Sequence, residues 1–267
     1  MSGQLWTVGD IESDIRGLGV AAGDIVMVHA SMRAIGPVEG GAAGVVKALD
    51  RAVGPHGTII MTLGARDDFA WVNERPDLER GSLLIGSAPF DYLKTPADPD
   101  NGVLAEVFRV TPGTLVSNHP EGRFGARRKL AKHFTAEVPW NDYYGIDSPL
   151  ERLIEANGKV LRMGADLETV TLIHYAEFFA DVPHKRRVRR HRLISTTTGP
   201  QLTTIECLDD EHGIVDYGGD DYFADILQDY LETHHTPRGA VGSAPSELID
   251  AGDLAQFAEE WMGSHLA

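Results

Sequence analysis

Short apolar runs bounded by turn residues recur along the chain, and they predict buried β-strands. One run covers residues 25–29 (Ile-Val-Met-Val-His) after a Gly-Asp turn, and a second covers residues 58–62 (Thr-Ile-Ile-Met-Thr). A third covers residues 159–163 (Lys-Val-Leu-Arg-Met), directly after Asn157 and Gly158. Short apolar runs between turn signals are typical of strands that are buried on both faces.

Helical patterns lie between these strands. Residues 42–53 follow a Gly-rich segment and end at Gly54 and Pro55, as a helix does. Residues 148–156 begin with a Ser suited to cap a helix and a Pro suited to its first position. The order strand, Gly-rich loop, helix, strand is a βαβ unit, which implies parallel strands in one sheet.

The rest of the chain is less regular. Residues 64–102 are polar and rich in Pro and Asp, which predicts a long functional loop more than regular structure. Beyond Val188 the pattern predicts antiparallel strands, then helices near residues 222–232 and 246–262. The sequence contains no internal repeat and no low-complexity linker. We therefore predict a single α/β domain over residues 1–267.

The run from Asp166 to Ala180 places a candidate general base on a helix. At helical spacing, Thr171, His174 and Glu177 lie on one face. Asp166 is placed to cap the start of this helix. A His with a Glu one turn away can act as a base whose second ring nitrogen is held by the carboxylate. The same pair can also do no more than stabilise the helix, and the spacing leaves both interpretations open.

The composition narrows the class of protein. With 42% apolar and 24% charged residues, the chain is typical of a globular protein. No apolar stretch approaches the roughly 18 residues that a membrane span needs, and the start of the sequence does not resemble a secretory signal. Cys207 is the single cysteine, which excludes an internal disulfide and fits a reducing compartment. We expect a cytoplasmic protein with no membrane partner.

The net charge of −16 predicts that the protein repels nucleic acid and attracts cations, although acidity can also serve solubility alone. Two basic clusters stand out against this charge, at residues 123–132 and residues 185–192. Each could contact nucleic acid, bind a phosphorylated cofactor or pair with surface acids. For so acidic a chain, nucleic acid is the weakest of these hypotheses.

The sequence lacks several common catalytic motifs. It has no Gly-x-Gly-x-x-Gly segment, no Walker loop and no Gly-x-Ser-x-Gly turn. The His-x-x-Glu pattern at His174 lacks the second His of an inverted zinc motif, and we predict no metal site. What remains is a candidate base, a Gly-rich turn, basic residues for phosphate and an acidic surface. This set suits group transfer from an anionic carrier to a basic acceptor.

Four segments, taken in order, resemble the aminoglycoside 3-N-acetyltransferase family. They are residues 28–36 (Val-His-Ala-Ser-Met-Arg-Ala-Ile-Gly), residues 117–121 (Ser-Asn-His-Pro-Glu), residues 144–150 (Tyr-Gly-Ile-Asp-Ser-Pro-Leu), and the segment of residues 161–177 that contains His174. The resemblance implies an enzyme that transfers acetyl from acetyl-CoA to an antibiotic amine. It also implies three α/β/α layers around a mixed, partly parallel sheet, with a β/α C-terminal portion, unrelated to the other common acetyltransferase fold.

The resemblance also assigns catalytic and cofactor residues. It makes His174 the catalytic base, with Glu177 beside it and His29 as a further candidate that touches the thioester or merely caps a loop. The residues expected to bind coenzyme A are His29, Ala30, Ser31, Met32, Ile35, Gly36, Val38, Gly41, Ser117, Phe124 and Arg127. The Arg that usually precedes Ser117 in the family is Val116 here, so Arg123 or Arg127 is expected to replace it.

The acceptor is expected to meet acidic residues. The candidates for substrate binding are Asp67, Asp68, His119, Asp209, Asp210 and Glu211. Asp67 and Asp68 follow the second strand, where parallel sheets place ligand sites. Each carboxylate could also be a solvated loop residue, but as a set they suit a polycationic acceptor.

The function predicted from the sequence is direct acetyl transfer from acetyl-CoA to the 3-amino group of an aminoglycoside, without an acyl-enzyme. Two alternatives remain open. One is acetylation of another small amine, and the other is a non-catalytic nucleic-acid binder that uses residues 185–192. We expect a monomer or a homodimer.

Overall fold

The computed structural model of the chain describes residues 4–219 and 221–267, in which helices alternate with strands. The strands are β1 (Ile25–Ala30), β2 (Thr58–Thr62), β3 (Leu115–Val116), β4 (Phe124–Arg128), β5 (Lys159–Met163), β6 (Arg187–Thr196), β7 (Gly199–Leu208), β8 (Arg238–Val241) and β9 (Ala244–Asp250). The helices are α1 (Val8–Gly17), α2 (Met32–Ile35), α3 (Gly41–Val53), α4 (Asp77–Leu83), α5 (Gly102–Val110), α6 (Ala131–Thr135), α7 (Pro149–Glu155), α8 (Ile173–Phe179), α9 (Tyr222–Thr233) and α10 (Ala251–His265). Among the described residues, no helix has both the length and the apolar character to cross a bilayer.

Seven strands of the described chain form one sheet in the order β3-β4-β2-β1-β5-β9-β8. Strand β1 lies at its centre and pairs in parallel with β2 and with β5. The outer strands pair antiparallel, and β6 and β7 form a separate antiparallel hairpin. The predicted mixed, partly parallel sheet and its βαβ unit are confirmed.

Successive side chains of the central strands pack alternately into two hydrophobic cores, one on each face of the sheet. On β1, Met27 packs into a core with helices α6 to α10, whereas Val26 and Val28 pack into a core with α1, α3 and α5. On β5, Val160 and Leu161 divide in the same way. Helices therefore cover both faces, which confirms the three α/β/α layers.

The C-terminal prediction was partly wrong. Residues 246–250 belong to β9, which pairs antiparallel with β5, and not to a helix. The helix begins after Asp250, whose carboxylate accepts a hydrogen bond from the backbone N–H of Asp253. Strand pairing decided the conformation of the apolar pair Leu248 and Ile249, which periodicity alone does not distinguish from helix.

The segment of residues 64–102 is more ordered than predicted. It contains α4 and short 3₁₀ turns at Ala70–Glu74 and Pro99–Asn101. Phe90 exchanges backbone hydrogen bonds with the β6 residues Leu193 and Ser195, at 2.7 and 2.8 Å. The segment therefore lies against the β6–β7 hairpin and forms one wall of a cavity.

The helix that carries His174 is shorter than predicted. Asp166 precedes a 3₁₀ turn at Leu167–Thr169, and its side chain caps nothing there. Helix α8 begins only at Ile173, so Thr171 lies before the helix instead of on its face. The His174–Glu177 spacing is unaffected, since both residues lie inside α8.

Candidate active site

His174 and Glu177 form a hydrogen-bonded pair on α8. The Nδ1 atom of His174 lies 2.8 Å from Oε2 of Glu177, three residues further along the helix. Glu177 is only 1% exposed, so its charge is held away from water. The contact places the hydrogen of a neutral imidazole on Nδ1 and leaves Nε2 as the nitrogen that can take up a proton.

Tyr222 fixes the other oxygen of this carboxylate. Its hydroxyl donates a short hydrogen bond to Oε1 of Glu177 and accepts one from the backbone N–H of Ile214, at 3.1 Å. Burial, with the nearby charge of Glu177, raises the pKa of Tyr222, so it remains a donor. Local spacing could not have predicted this contact, because Tyr222 lies 45 positions from Glu177.

Two aromatic rings hold the imidazole of His174. Tyr144 stacks on it, with ring centroids 5.0 Å apart and planes 10° from parallel. Phe223 meets it edge-on at 4.6 Å. Just before α8, Thr171 is joined to Thr62, at the end of β2, by a hydroxyl contact of 3.2 Å. The ring is thus positioned from several elements at once, which restricts its orientation.

The pKa of His174 is raised above its ordinary value. Burial alone would lower it, because a buried imidazolium loses its hydration. The charge and hydrogen bond of Glu177, together with the charges of Asp210 and Asp221, outweigh this effect. The electrostatics therefore favour uptake of a proton by His174.

His174 lies where two cavities meet. The first, of about 680 Å³, is lined by His174 and by residues 209–213 and 221–223 among others. The second, of about 880 Å³, lies between the 64–102 segment and β6 and is also lined by His174. Asp210 and Glu211 line both. A histidine at such a junction can contact a ligand in either cavity.

The arginines of residues 185–192 are paired with acids. Arg192 binds Asp67, and Arg190 lies 2.7 Å from Asp210. Further ion pairs of this cluster include Arg186–Asp216, Arg187–Asp142 and Arg189–Glu206. Of the three interpretations of this cluster, the structure supports pairing with acids.

The predicted acceptor residues differ in their surroundings. Asp67 and Asp210 line the second cavity, but each already binds an arginine. Asp209 is buried and accepts backbone hydrogen bonds from residues 211 and 212, at 3.2 and 3.0 Å. Asp68 is exposed, pairs with Arg66 at 3.0 Å and lines neither cavity. Of the two predicted acceptor residues that line both cavities, Asp210 and Glu211, Glu211 has the more exposed side chain.

His119 acts on its own loop. Its Nδ1 accepts hydrogen bonds from the backbone N–H groups of Glu121 and Gly122, and its Nε2 contacts the Trp140 carbonyl at 2.9 Å. Burial lowers the pKa of His119 to about 4, so the ring is neutral. With both nitrogens bonded to the backbone, His119 does not reach the cavity. Glu121, which was not among the residues predicted from the sequence, lines the second cavity.

His29 is a buried neutral histidine at the end of β1. Burial and the charge of Arg162 lower its pKa to about 4, so it is uncharged near neutral pH. Arg162 lies beside it on β5 and donates a 2.9 Å hydrogen bond to Glu247 on β9. The Nε2 atom of His29 is buried without a hydrogen-bond partner among the described residues. His29 lines neither cavity, although its strand ends at the same edge of the sheet as the loop of His174.

The predicted coenzyme A turn follows β1. Ser31 caps α2, with its hydroxyl accepting a hydrogen bond from the N–H of Ala34 at 3.3 Å. Gly36 has φ of +89° and Gly41 of +59°, backbone conformations that favour glycine. Of the other candidates in this turn, Ile35 and Val38 are buried, while Ala30 and Met32 are partly buried. The turn thus offers backbone groups more than side chains.

Three predicted cofactor residues lie in the interior. Ser117 is buried and accepts a hydrogen bond from the N–H of Phe124 at 2.8 Å, and Phe124 is itself in the core. Arg127 binds Asp50 at 2.8 Å. Arg123 is fully buried, where desolvation lowers its pKa to about 10 and its guanidinium donates to backbone carbonyls. Both arginines therefore serve internal contacts.

The basic cluster of residues 123–132 also points away from the turn after β1. Strand β4 runs antiparallel to β2, so Arg128 lies opposite Thr58, at the start of β2. Residues 128–132 consequently lie at the amino-terminal edge of the parallel strands, whereas Ser31 follows their carboxyl-terminal edge. Phosphates bound near Ser31 cannot also contact this end of the cluster. Arg33, exposed on α2, is the basic side chain at the correct edge.

Comparison with known proteins gives the family. The family model of aminoglycoside 3-N-acetyltransferases matches residues 27–263. Aminoglycoside N(3)-acetyltransferase VII of Streptomyces paromomycinus is 37% identical over 263 residues, which cover 95% of this chain and 90% of that protein. The solved structure of AAC-IIIb in a binary complex with CoASH has a TM-score of 0.92 at 37% identity, covering 99% of this chain and 98% of that one. AAC-VIa bound to sisomicin has a TM-score of 0.92 at 33% identity, covering 99% and 100%. This chain belongs to the aminoglycoside 3-N-acetyltransferase family, as its four sequence segments indicated.

Proposed function

We propose that this protein transfers the acetyl group of acetyl-CoA directly to the 3-amino group of an aminoglycoside, with His174 as the general base. The observation that carries the proposal is the position of His174 at the junction of two cavities, with Glu177 behind it. The complexes of AAC-IIIb with CoASH and of AAC-VIa with sisomicin support the choice of donor and acceptor.

The chemistry of the pair follows from its geometry. Acetyl-CoA supplies an acetyl thioester, which a free amine can attack. His174 takes the proton of the attacking amine at Nε2, while Nδ1–H remains bonded to Glu177. As the C–N bond forms and the C–S bond of the thioester breaks, the imidazolium gives that proton to the departing sulfur, which leaves as the thiol of coenzyme A. Glu177 stabilises the imidazolium between these two transfers, because its charge lies 2.8 Å away and is buried.

The donor fits the turn after β1. Helix α3 has no side-chain cap at Gly40, and the N–H groups of Gly41 and Gly44 donate to the carbonyls of Val38 and Gly40. The remaining N–H groups of its first turn can bind phosphate oxygens. Arg33 adds a positive charge at this edge of the sheet. The turn after β5 packs against it, since a Cβ on Gly164 would lie 2.5 Å from that of Ala34. The chain continues from Gly164 to His174, so the donor turn and the base share one edge.

The acceptor fits the two acidic cavities. Their walls contain Glu168, Asp210, Glu211 and Asp221, and the chain as a whole carries a net charge of −16. A polycationic antibiotic is attracted to such walls over a distance of about a Debye length. The proposal thus accounts for the acidity of the chain with the same residues that surround the base.

A thiol-release assay with acetyl-CoA tests the proposal. Purified protein is incubated with a panel of aminoglycosides and, in parallel, with simple polyamines and small monoamines. Release that depends on the aminoglycoside, with the product acetylated at the 3-amino group by NMR, is the expected result. Release with small amines alone would favour the alternative of another small-amine acceptor. No release with any amine would overturn the proposal.

A further inference from the structure

The segment before α1 lies across the turn after β1. Residues 36–40 connect α2 to α3 as irregular backbone, and Trp6 pairs with Val38 of this turn in an isolated parallel β-bridge. The backbone N–H of Trp6 donates to the carbonyl of Pro37 at 2.9 Å, and the carbonyl of Trp6 accepts from the N–H of Glu39 at 2.8 Å. The backbone of Trp6 therefore holds the turn on both sides of Val38.

The side chain of Trp6 anchors this bridge. The ring is half-buried and packs against the hydrophobic core that contains Val38 and Ile35. The indole N–H also donates a hydrogen bond of 3.4 Å to the hydroxyl of Ser243, in the turn between β8 and β9. A hydrogen bond of this length is weak, so the apolar packing of the ring supplies most of the anchoring.

The turn between β8 and β9 holds the other end of the same loop. The N–H of Ser243 donates to the carbonyl of Ile35 at 3.0 Å. A Cβ on Gly242 would lie 2.7 Å from that carbonyl, and a Cβ on Gly36 would lie 3.4 Å from the hydroxyl of Ser243 and 3.8 Å from Nε1 of Trp6. Three segments that are far apart in the sequence thus pack closely at the start of the loop.

The bridge leads directly into the proposed phosphate site. Val38, the partner of Trp6, accepts a 2.8 Å hydrogen bond from the N–H of Gly41, the first residue of α3. The carbonyl of Glu39 lies so close to the helix that a Cβ on Gly44 would be 2.0 Å from it. A shift of the bridge would therefore displace the first turn of α3, where phosphate is proposed to bind.

We propose that Trp6 is a positioning residue for coenzyme A, which fixes the turn after β1 in the conformation that binds the donor. The inference rests on the proposed function, since it concerns the donor site of that reaction. Without the ring, only a fraction of the molecules have the turn in this conformation, and the apparent Kd rises by the inverse of that fraction. Bound acetyl-CoA then holds the turn itself, so kcat at saturation is preserved.

Calorimetry with coenzyme A and steady-state kinetics test this role in Trp6→Ala. The Kd of coenzyme A and the KM of acetyl-CoA are expected to rise about tenfold, which corresponds to a competent turn in about a tenth of the molecules. The KM of the aminoglycoside, and kcat at saturating acetyl-CoA, should stay within about twofold of the wild type. Trp6→Phe keeps an aromatic ring against the core and should recover most of the affinity.

Val8→Ala is the matched control for the lost packing, because Val8 contacts the same core from the first position of α1. It should bind coenzyme A as the wild type does, even though apolar contact is lost. Hydrogen exchange reports on the turn directly: the amide of Glu39 should exchange faster in Trp6→Ala, and coenzyme A should slow it. Trp6→Leu, with part of the apolar contact, should show an intermediate loss of affinity and serves if Trp6→Ala does not fold.

These measurements separate the inference from the proposed function. If the wild-type protein releases no thiol with any amine, the proposed function fails, while the affinity for coenzyme A still tests Trp6. If Trp6→Ala and Trp6→Leu bind coenzyme A as tightly as the wild type, Trp6 does not position the donor site. An equal loss in Val8→Ala, or a large fall of kcat in Trp6→Ala at saturating acetyl-CoA, would also overturn the inference.

Discussion

The Nδ1 atom of His174 lies 2.8 Å from Oε2 of Glu177, and the two side chains leave α8 one turn apart. The other oxygen of Glu177 is occupied by the Tyr222 hydroxyl, so this buried carboxylate has no contact left for a ligand. In the proposed reaction the acceptor amine therefore meets the imidazole and not the carboxylate. The first two predictions follow from these different roles of His174 and Glu177.

Replacement of His174 by Ala is expected to lower kcat by a factor of roughly 10²–10⁴, because the attacking amine then loses its proton to water alone. The affinity for coenzyme A should be almost unchanged, because His174 does not belong to the turn after β1, where coenzyme A is proposed to bind. Steady-state kinetics and calorimetry measure the two quantities. A variant that keeps most of its turnover at neutral pH would rule out His174 as the base.

Glu177→Gln should lower kcat by on the order of 10³, because an amide can donate to Nδ1 and stabilise the wrong tautomer. It should also move the pH profile. The wild-type pKa of His174 is raised mainly by Glu177 against the effect of burial, and the base works only when neutral. Activity therefore falls as pH drops through this raised pKa, and loss of the charge should move the acidic limb to lower pH. If the acidic limb of the kcat/KM profile of Glu177→Gln stays at the wild-type pH, this account is wrong. The control is Tyr222→Phe, which keeps the charge of Glu177 and should shift the acidic limb far less.

Arg33 and Arg127 are expected to behave differently. Arg33→Gln should raise the KM of acetyl-CoA several-fold without a change in thermal stability, because Arg33 is exposed at the edge where phosphates are proposed to bind. Arg127→Gln should instead destabilise the fold by about 2 kcal/mol, since it removes the more buried of the two arginines that bind Asp50 and leaves only Arg128. Kinetics and denaturant unfolding of both variants provide the comparison, and the opposite pattern would return the phosphate site to the 123–132 cluster.

Gly41→Asn should weaken coenzyme A binding while the fold remains intact. Gly41 has φ of +59°, which Asn tolerates better than other residues do, and a Cβ there would have open space around it. The added side chain would therefore extend from an uncrowded position towards the proposed ligand site. Calorimetric titration with coenzyme A measures the effect, and sisomicin affinity serves as the internal control. Equal losses for both ligands would point to a general disturbance of the site.

Raised ionic strength should increase the KM of the aminoglycoside more than that of acetyl-CoA. The antibiotic carries several positive charges that the acidic cavities attract, and salt at about 0.15 M already reduces the screening length to about 8 Å. Rates measured from low to high salt at constant pH test this expectation. If the two KM values rise in parallel, the field of the acidic walls is not what attracts the acceptor.

Local pattern was sufficient for most of the framework. The runs at residues 25–29, 58–62 and 159–163 are strands, and their order with the helix of residues 42–53 confirmed the parallel centre of the sheet. The prediction failed at residues 246–250, where an apolar pair fits either periodicity and pairing with β5 decides. The prediction also began the His174 helix too early, at Asp166. A residue suited to cap a helix does not by itself show which helical turn follows it.

The sequence by itself determined the family, the central strands and the His174–Glu177 spacing, because each depends on residues that are close together in the chain. Only the tertiary structure decided which charges are available. Arg192 meets Asp67 across 125 positions and Arg127 meets Asp50 across 77, so the free carboxylates and cations cannot be read from local composition. The physical reason is that a buried charge requires a partner from elsewhere in the fold, and folding alone brings that partner within reach.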